Sequence, residues 1–260
     1  MKATGIYSAA GSTLTLHPTA STPCTSNVVN PDGPSRTDSV LAWEGAVTAY
    51  NVKSAEAGGD QTRIDKIAHC ASQTRYKATA PNGTTPWSDG PTVTSRFDSA
   101  AYMAQYGVKG AIFSNVLPWY QYARTDASVK SVAEHIFDAL YLPQLTYPVK
   151  PNKDIPGNVW NGEYQPIHRN FPNFNAASAT VARKNLNAKN AACRPLQSNP
   201  GEQCDEFPFA STKEGAGKGD GNFSVRYVPG SENGSAGAKL AVWYGQDRII
   251  DGDAYGFRVK

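Results

Sequence analysis

The sequence predicts an α+β protein, with an N-terminal β-rich, sandwich-like domain followed by a small α+β domain. Three observations carry that expectation. Residues 1–98 hold β-branched and aromatic runs separated by Pro/Gly/Asn clusters. Two stretches in the second half, "DASVKSVAEHIFDALY" and "NFNAASATVARKNLNAKNAAC", read as helices. Strand-like runs then return after Gly217. The boundaries expected are 1–98 for the β-rich domain, 99–129 for a connecting segment packed between the domains, and 130–260 for the α+β domain.

"SVLAWEGAVTAYNV" (39–52) is rich in β-branched and aromatic residues with partial alternation, which suits a strand. "DKIAHCASQTRYKATA" reads as a second strand. "NPDGPS" and "APNGTTPWSDGP" are the turns between such runs. "FDSAAYMAQYG" predicts a short helix capped by Asp98 or Ser99, and "GAIFSNVLPWYQY" a buried strand.

The clearest helix is 126–141. There Val129, Val132, Ala133, Ile136, Phe137 and Leu140 recur at helical spacing, and Asp126 or Ser128 can cap. "PQLTYPVKPNKDIPG" is a proline-rich connector. The second helix carries Arg183, Lys184, Lys189 and Arg194 with no acidic residue among them. "NFSVRYVPG", "AKLAVWYG" and "RIIDGDAYGFRVK" are all expected to be strands.

Totals narrow the function classes. The chain of 260 residues has a net charge of +3, which permits a polyanionic partner without demanding one. No apolar run approaches the roughly 18 residues of a membrane span, so no membrane is expected as a partner. The N-terminus "MKATGIYSAAG" lacks an apolar signal-peptide core, and the opening Met-Lys is read as replacing a removed leader.

The four cysteines allow three pairings, and none sits in a C-x-x-C. Two fall early and two late, and the late pair encloses a short Pro/Asn/Gly-rich loop. Disulfides Cys24–Cys70 and Cys193–Cys204 are expected, in a low-charge, turn-rich chain of secreted character. His17 and His69 are read as structural histidines.

Signatures of serine hydrolases, zinc proteases and phosphate-binding loops are absent. "GAGKGDGN" does not open a helix after a strand and reads as a loop. The informative stretch is "EQCDEFPFASTKEG", which gathers Asp205, Glu206 and Glu214 around an apolar run. A buried carboxylate costs several kcal/mol unless a cation or an Arg offsets it. Asp205 and Glu206 are adjacent, so on a strand they point to opposite faces: one can face a site while the other makes a structural bond. Glu214 can return to the same site. Further on, "VRYVPGSENGSAG" offers Arg226, Glu232 and Asn233, and "QPIHRN" supplies His168 as a base and Arg169 as a phosphate clamp. Carboxylates and an amide suit a hard divalent cation, and a phosphodiester transition state suits that cation plus Arg or Lys. The competing reading is an acidic turn with structural ion pairs.

"CDEFPFASTKEGAG", then "VRYVPGSENGSAG", then a terminal "RIIDGDAYGFRVK" resemble the NucA/NucB-type secreted bacterial deoxyribonucleases. "HIFDAL" resembles the family's early helix and "IHRN" the stretch before its basic helix, so the likeness covers about residues 130–260. The longer form with both late cysteines looks like extracellular actinobacterial proteins in which a β-rich region precedes the nuclease. The resemblance implies a small, secreted, metal-dependent and sequence-nonspecific DNA endonuclease that uses Mg²⁺, Mn²⁺ or Ca²⁺. Position by position it carries over Asp205, Glu206, Glu214 and Asn233, with Arg226 also matching and His168–Arg169 a looser match. Lys213 stands where the family often has a further acid before Glu214, which leaves the number of metal ions open.

The roles expected are catalytic for Asp205, Glu206, Glu214 and His168, and metal-binding for Asp205, Glu214 and Asn233. Arg169, Arg226, Arg183 and Lys184 would grip the DNA phosphate backbone, which needs no base reading. Two alternatives stand beside this reading. One is a nuclease toxin, with an inhibitor or immunity protein as partner. The other is an inactive extracellular binding protein on the same fold. Retention of all three acids and Asn233 favours an active enzyme.

Overall fold

A computed structural model describes residues 11–29, 34–160 and 162–260. The expected "NPDGPS" turn lies largely outside the described residues. The chain is α+β and divides into two compact units, residues 1–116 and 117–260.

The first unit is built of strands β1 (Thr13–Ala20), β2 (Cys24–Val28), β3 (Arg36–Ser39), β4 (Tyr50–Ser54), β5 (Ala68–Ala80), β6 (Gly83–Thr84), β7 (Ser88–Ser99) and β8 (Lys109–Phe113). Six form one antiparallel sheet in the order β3-β1-β5-β7-β8, with β6 paired to β5. Strands β2 and β4 form a separate ribbon. The Cys24–Cys70 disulfide ties that ribbon to β5.

Two local expectations are corrected here. Residues 39–52 are not one strand: Leu41–Trp43 form a 3₁₀ turn and pairing starts at Tyr50. Trp43 is buried and its indole N–H donates to the Leu14 carbonyl. The polar partner of a single large ring therefore overrides the alternation. "FDSAAYMAQYG" does turn, but as a 3₁₀ segment, Ala101–Tyr106, following Asp98, whose carboxylate accepts from the Ala100 N–H.

In the second unit, β9 (Trp119–Tyr122) precedes α1 (Lys130–Tyr141), β10 (Ile167–His168), α2 (Ala176–Cys193), β11 (Glu202–Phe207), β12 (Ser224–Pro229), α3 (Gly230–Gln246) and β13 (Ala254–Val259). "GAIFSNVLPWYQY" thus splits into β8 and β9, interrupted before Pro118, which has no N–H to donate to a ladder. Strand β13 runs parallel to β9 and antiparallel to β10, while β11 and β12 form an antiparallel hairpin. Ile136, Phe207, Phe257, Tyr255 and Ile249 are fully buried at the centre of the core.

Helix α1 buries Val132, Ala133, Ile136, Ala139 and Leu140, the face its spacing predicts. Its first turn is not capped by Asp126 or Ser128. Asp126 instead holds Ser128 in a turn before the helix, and Glu232 of α3 accepts from the Ser131 N–H. Helix α2 is capped by Asn175, whose side chain accepts from the Ser178 N–H at 2.8 Å.

The expected strand "AKLAVWYG" is helical. Ala236, Leu240, Trp243 and Tyr244 all face the core at helical spacing. Stacking of Trp243 on Tyr120, with centroids 5.0 Å apart, rewards the helix. Aromatic content argued for a strand, and tertiary packing overrode that weak propensity. Cys193–Cys204 pins the end of α2 to β11, with a sequence separation of 11.

Candidate active site

The hairpin register places Asp205 opposite Arg226 and Glu206 opposite Val225. Alternation then separates the two acids. Asp205 shares its face with Phe207 and turns towards α1; Glu206 shares its face with Cys204 and turns towards α2. Both carboxylates are buried.

Asp205 Oδ2 lies 2.7 Å from His135 Nδ1, and His135 Nε2 lies 2.8 Å from Ser224 Oγ. The imidazole is fully buried. An ionised Asp205 only accepts, so Nδ1 carries the proton that it donates to Asp205. In the neutral ring Nε2 then accepts from the Ser224 hydroxyl. Three elements distant in sequence thereby fix one carboxylate. Sequence reading did not single out His135. Its only signal was a polar residue on the apolar face of α1.

Glu206 Oε2 lies 3.4 Å from Lys189 Nζ. Burial pushes the Glu206 carboxyl up from 4.5 to about 7; the Lys189 ammonium opposes the rise and the Asp205 charge adds to it. A cavity of about 390 Å³ brings Asp205 and Glu206 together with Arg169, Lys189, Asn233 and Tyr244. The Arg169 guanidinium sits 4.5 Å over the Tyr244 ring and donates to the Ile249 carbonyl. Asn233 stands on α3 and its amide N–H donates to Gln203 Oε1 at 3.1 Å.

Glu214 is held elsewhere. Its Oε2 accepts from the His168 backbone N–H at 2.7 Å, and its Oε1 lies 2.8 Å from His168 Nδ1. With Nδ1–H committed to the carboxylate, the neutral ring presents Nε2 as a proton acceptor. The His168 side chain is 39% exposed and that of Glu214 17%. Neither lines the cavity that holds Asp205.

The segment between β11 and β12 that carries Glu214 is laced to β10: Lys213 N–H donates to the His168 carbonyl and Asn170 N–H to that of Ser211. Helix α2 clamps the other side. The Asn185 amide donates to the Ala210 and Thr212 carbonyls and accepts from the Gly217 N–H. A Cβ at Gly217 would lie 2.4 Å from the Lys184 carbonyl carbon. The glycine-rich loop therefore serves close packing of α2 over the acid-bearing segment.

Of the remaining expected residues, Arg226 pairs with Asp138 of α1 at 2.6 Å and lies outside the cavity. Arg183 and Lys184 are exposed on α2. The structure thus gathers Asp205, Glu206, Arg169 and Asn233, and sets His168–Glu214 and Arg226–Asp138 apart as pairs.

Among the described residues no group of three or more His, Cys, Asp or Glu side chains is placed to hold a metal ion. The cavity nonetheless presents oxygen donors: two buried carboxylates and the Asn233 amide. That donor chemistry fits a hard divalent cation. The raised Glu206 pKa marks buried acidity that one nearby Lys does not fully offset.

Residues 160–258 match the family model described as Deoxyribonuclease NucA/NucB. The match contains Asp205, Glu206, Glu214, His168, Arg169, Arg226 and Asn233, while α1 with His135 precedes it. Comparison with curated proteins finds no match. The resemblance read from "CDEFPFASTKEGAG" is borne out over this part of the chain, and it supports a DNA nuclease. The two disulfides fit an extracellular protein. Among the described residues no helix is long and apolar enough to cross a membrane.

Proposed function

We propose that residues 117–260 form a secreted, metal-dependent endodeoxyribonuclease that cuts DNA without sequence preference. The observation that carries this reading is the cavity where buried Asp205 and Glu206 meet Arg169, within the stretch similar to NucA/NucB deoxyribonucleases. Asp205 and Asn233 are the residues that would hold a divalent cation, with Glu206 turned to Lys189 on the other face of β11; Mg²⁺, Mn²⁺ and Ca²⁺ all suit such oxygen donors. When bound, the ion supplies Lewis-acid stabilisation of charge on the phosphodiester.

The chain's own residues do the rest. Arg169 is propped by Tyr244 and the Ile249 carbonyl, so its guanidinium is positioned before a phosphate arrives. His135 and Ser224 hold Asp205 in one orientation. His168 stands outside that cavity but precedes Arg169, which lines it; with Nδ1 committed to Glu214, its Nε2 is the group assigned to take the proton of the attacking water when DNA bridges the two. Arg183 and Lys184 on the exposed face of α2 contact the DNA backbone through charge alone, which needs no base reading.

The test is plasmid digestion by the purified protein with Mg²⁺, Mn²⁺ or Ca²⁺, and with EDTA. Nicking and linearisation with at least one ion, stopped by EDTA, is the expected result. Intact plasmid with every ion would refute the enzyme reading.

A further inference from the structure

The first unit holds a cavity of about 450 Å³ between the six-stranded sheet and the β2–β4 ribbon. Its floor is one face of the sheet. Ser72 and Thr74 of β5, Val93, Ser95 and Phe97 of β7, and Ala111 and Phe113 of β8 all line it. The register confirms that shared face: Ser72 stands opposite Val93, Ser95 opposite Phe113, and Phe97 opposite Ala111. The ribbon contributes Ser26, Tyr50 and Val52 from the opposite side, and Val52 is paired with Ser26.

A structural sandwich fills such a space with large apolar side chains, because interiors pack as densely as organic crystals. Here Ser26, Ser72, Thr74, Ser95 and Ala111 stand among Val52, Val93, Phe97 and Phe113, and the layers leave the space unfilled while Cys24–Cys70 holds the ribbon to β5. The volume falls within the range of small-ligand sites.

The lining chemistry narrows the ligand. No Lys, Arg, Asp, Glu or His lines the cavity, so nothing in it favours a phosphate, a carboxylate or an amine. The polar groups are neutral hydroxyls and amides. Those of Ser26, Thr74 and Ser95 make no side-chain hydrogen bond with another described residue. The Tyr50 hydroxyl at the wall is buried without a hydrogen-bond partner among them. Phe113 is 64% exposed beside these hydroxyls, so its ring face is accessible to a ligand in the trough. An aromatic face is electron-rich and attracts the positively polarised C–H bonds on one side of a sugar ring, while the ring's hydroxyls seek neutral donors and acceptors.

We infer that the trough between the sheet and the β2–β4 ribbon binds an uncharged glycan segment. This inference concerns residues 1–116 alone and stands apart from the nuclease reading.

Isothermal titration of the whole protein with cellotriose, maltotriose and N,N′-diacetylchitobiose tests it, with a short single-stranded oligodeoxynucleotide in EDTA as competitor. Binding of at least one sugar is expected, undisturbed by the oligonucleotide. Phe113→Ala removes the exposed ring and should weaken binding about tenfold. Ala111→Trp should block the trough, with melting temperature and plasmid cleavage unchanged in both variants. If Ala111→Trp does not fold, Phe113→Ala decides, because its exposed ring contributes little to the core. No binding of any of the three sugars, affinity unaltered by Phe113→Ala, or displacement of the sugar by the oligonucleotide would each overturn the inference.

Discussion

Replacing Glu206 by Gln should alter how stability depends on pH. Burial raises this carboxyl from 4.5 to about 7 in the folded protein. The folded pKa lies above the unfolded one, so the group's favourable contribution is fully present below about pH 4.5. It is lost as pH rises towards 7, because the unfolded chain ionises first. Each pH unit between the two pKa values is worth about 1.4 kcal/mol, so the full loss is about 3 kcal/mol. Gln is neutral at every pH and carries no such loss. Urea unfolding of both proteins in EDTA, in steps from about pH 4 to about pH 8, reads the difference directly. The wild type should lose about 3 kcal/mol relative to Glu206→Gln across that range. Parallel curves, or a wild type that gains on the variant as pH rises, would refute the reasoning and show that the Lys189 ammonium balances or outweighs burial.

Three further outcomes follow from the same geometry. Asp205→Ala, Glu214→Ala and His168→Ala should each lower cleavage by a factor of about 10²–10⁴ while the protein remains folded. A lowered melting temperature with cleavage preserved below it would instead mark a structural carboxylate. Ser224→Ala leaves the buried His135 Nε2 without its partner and should cost about 1–3 kcal/mol in urea unfolding; an unchanged midpoint would show that the bond contributes nothing. Gly217→Ala places a Cβ 2.4 Å from the Lys184 carbonyl carbon and should destabilise by about 1–3 kcal/mol, read as a fall in melting temperature that Gly234→Ala, with open space around it, does not share.

Much of the scaffold was legible because it rests on short-range rules. The apolar spacing of α1 specifies its buried face wherever the helix packs. The cysteine pairing follows the early and late grouping, since nearby partners cost less loop entropy to join. The acid-bearing strand and its NucA/NucB likeness also lie within a continuous stretch.

Tertiary structure decided the rest. The aromatic run of α3 suits a strand locally, and it became a helix because Trp243 and Tyr244 find ring partners on β9 and β13. Strand alternation separated Asp205 from Glu206, but only packing could direct one to His135 and the other to Lys189. Glu214, nine residues from Asp205 in sequence, is drawn to His168 by the register that joins β10 to the Lys213 segment. His135 carried only the weak signal of a polar residue on an apolar helix face, because its meaning lies in two hydrogen bonds to residues 70 and 89 positions away. Periodicity and capping act over a few residues and can be read in order along the chain. A buried polar network depends on which distant side chains the folded backbone brings within about 3 Å, and no local pattern encodes that distance.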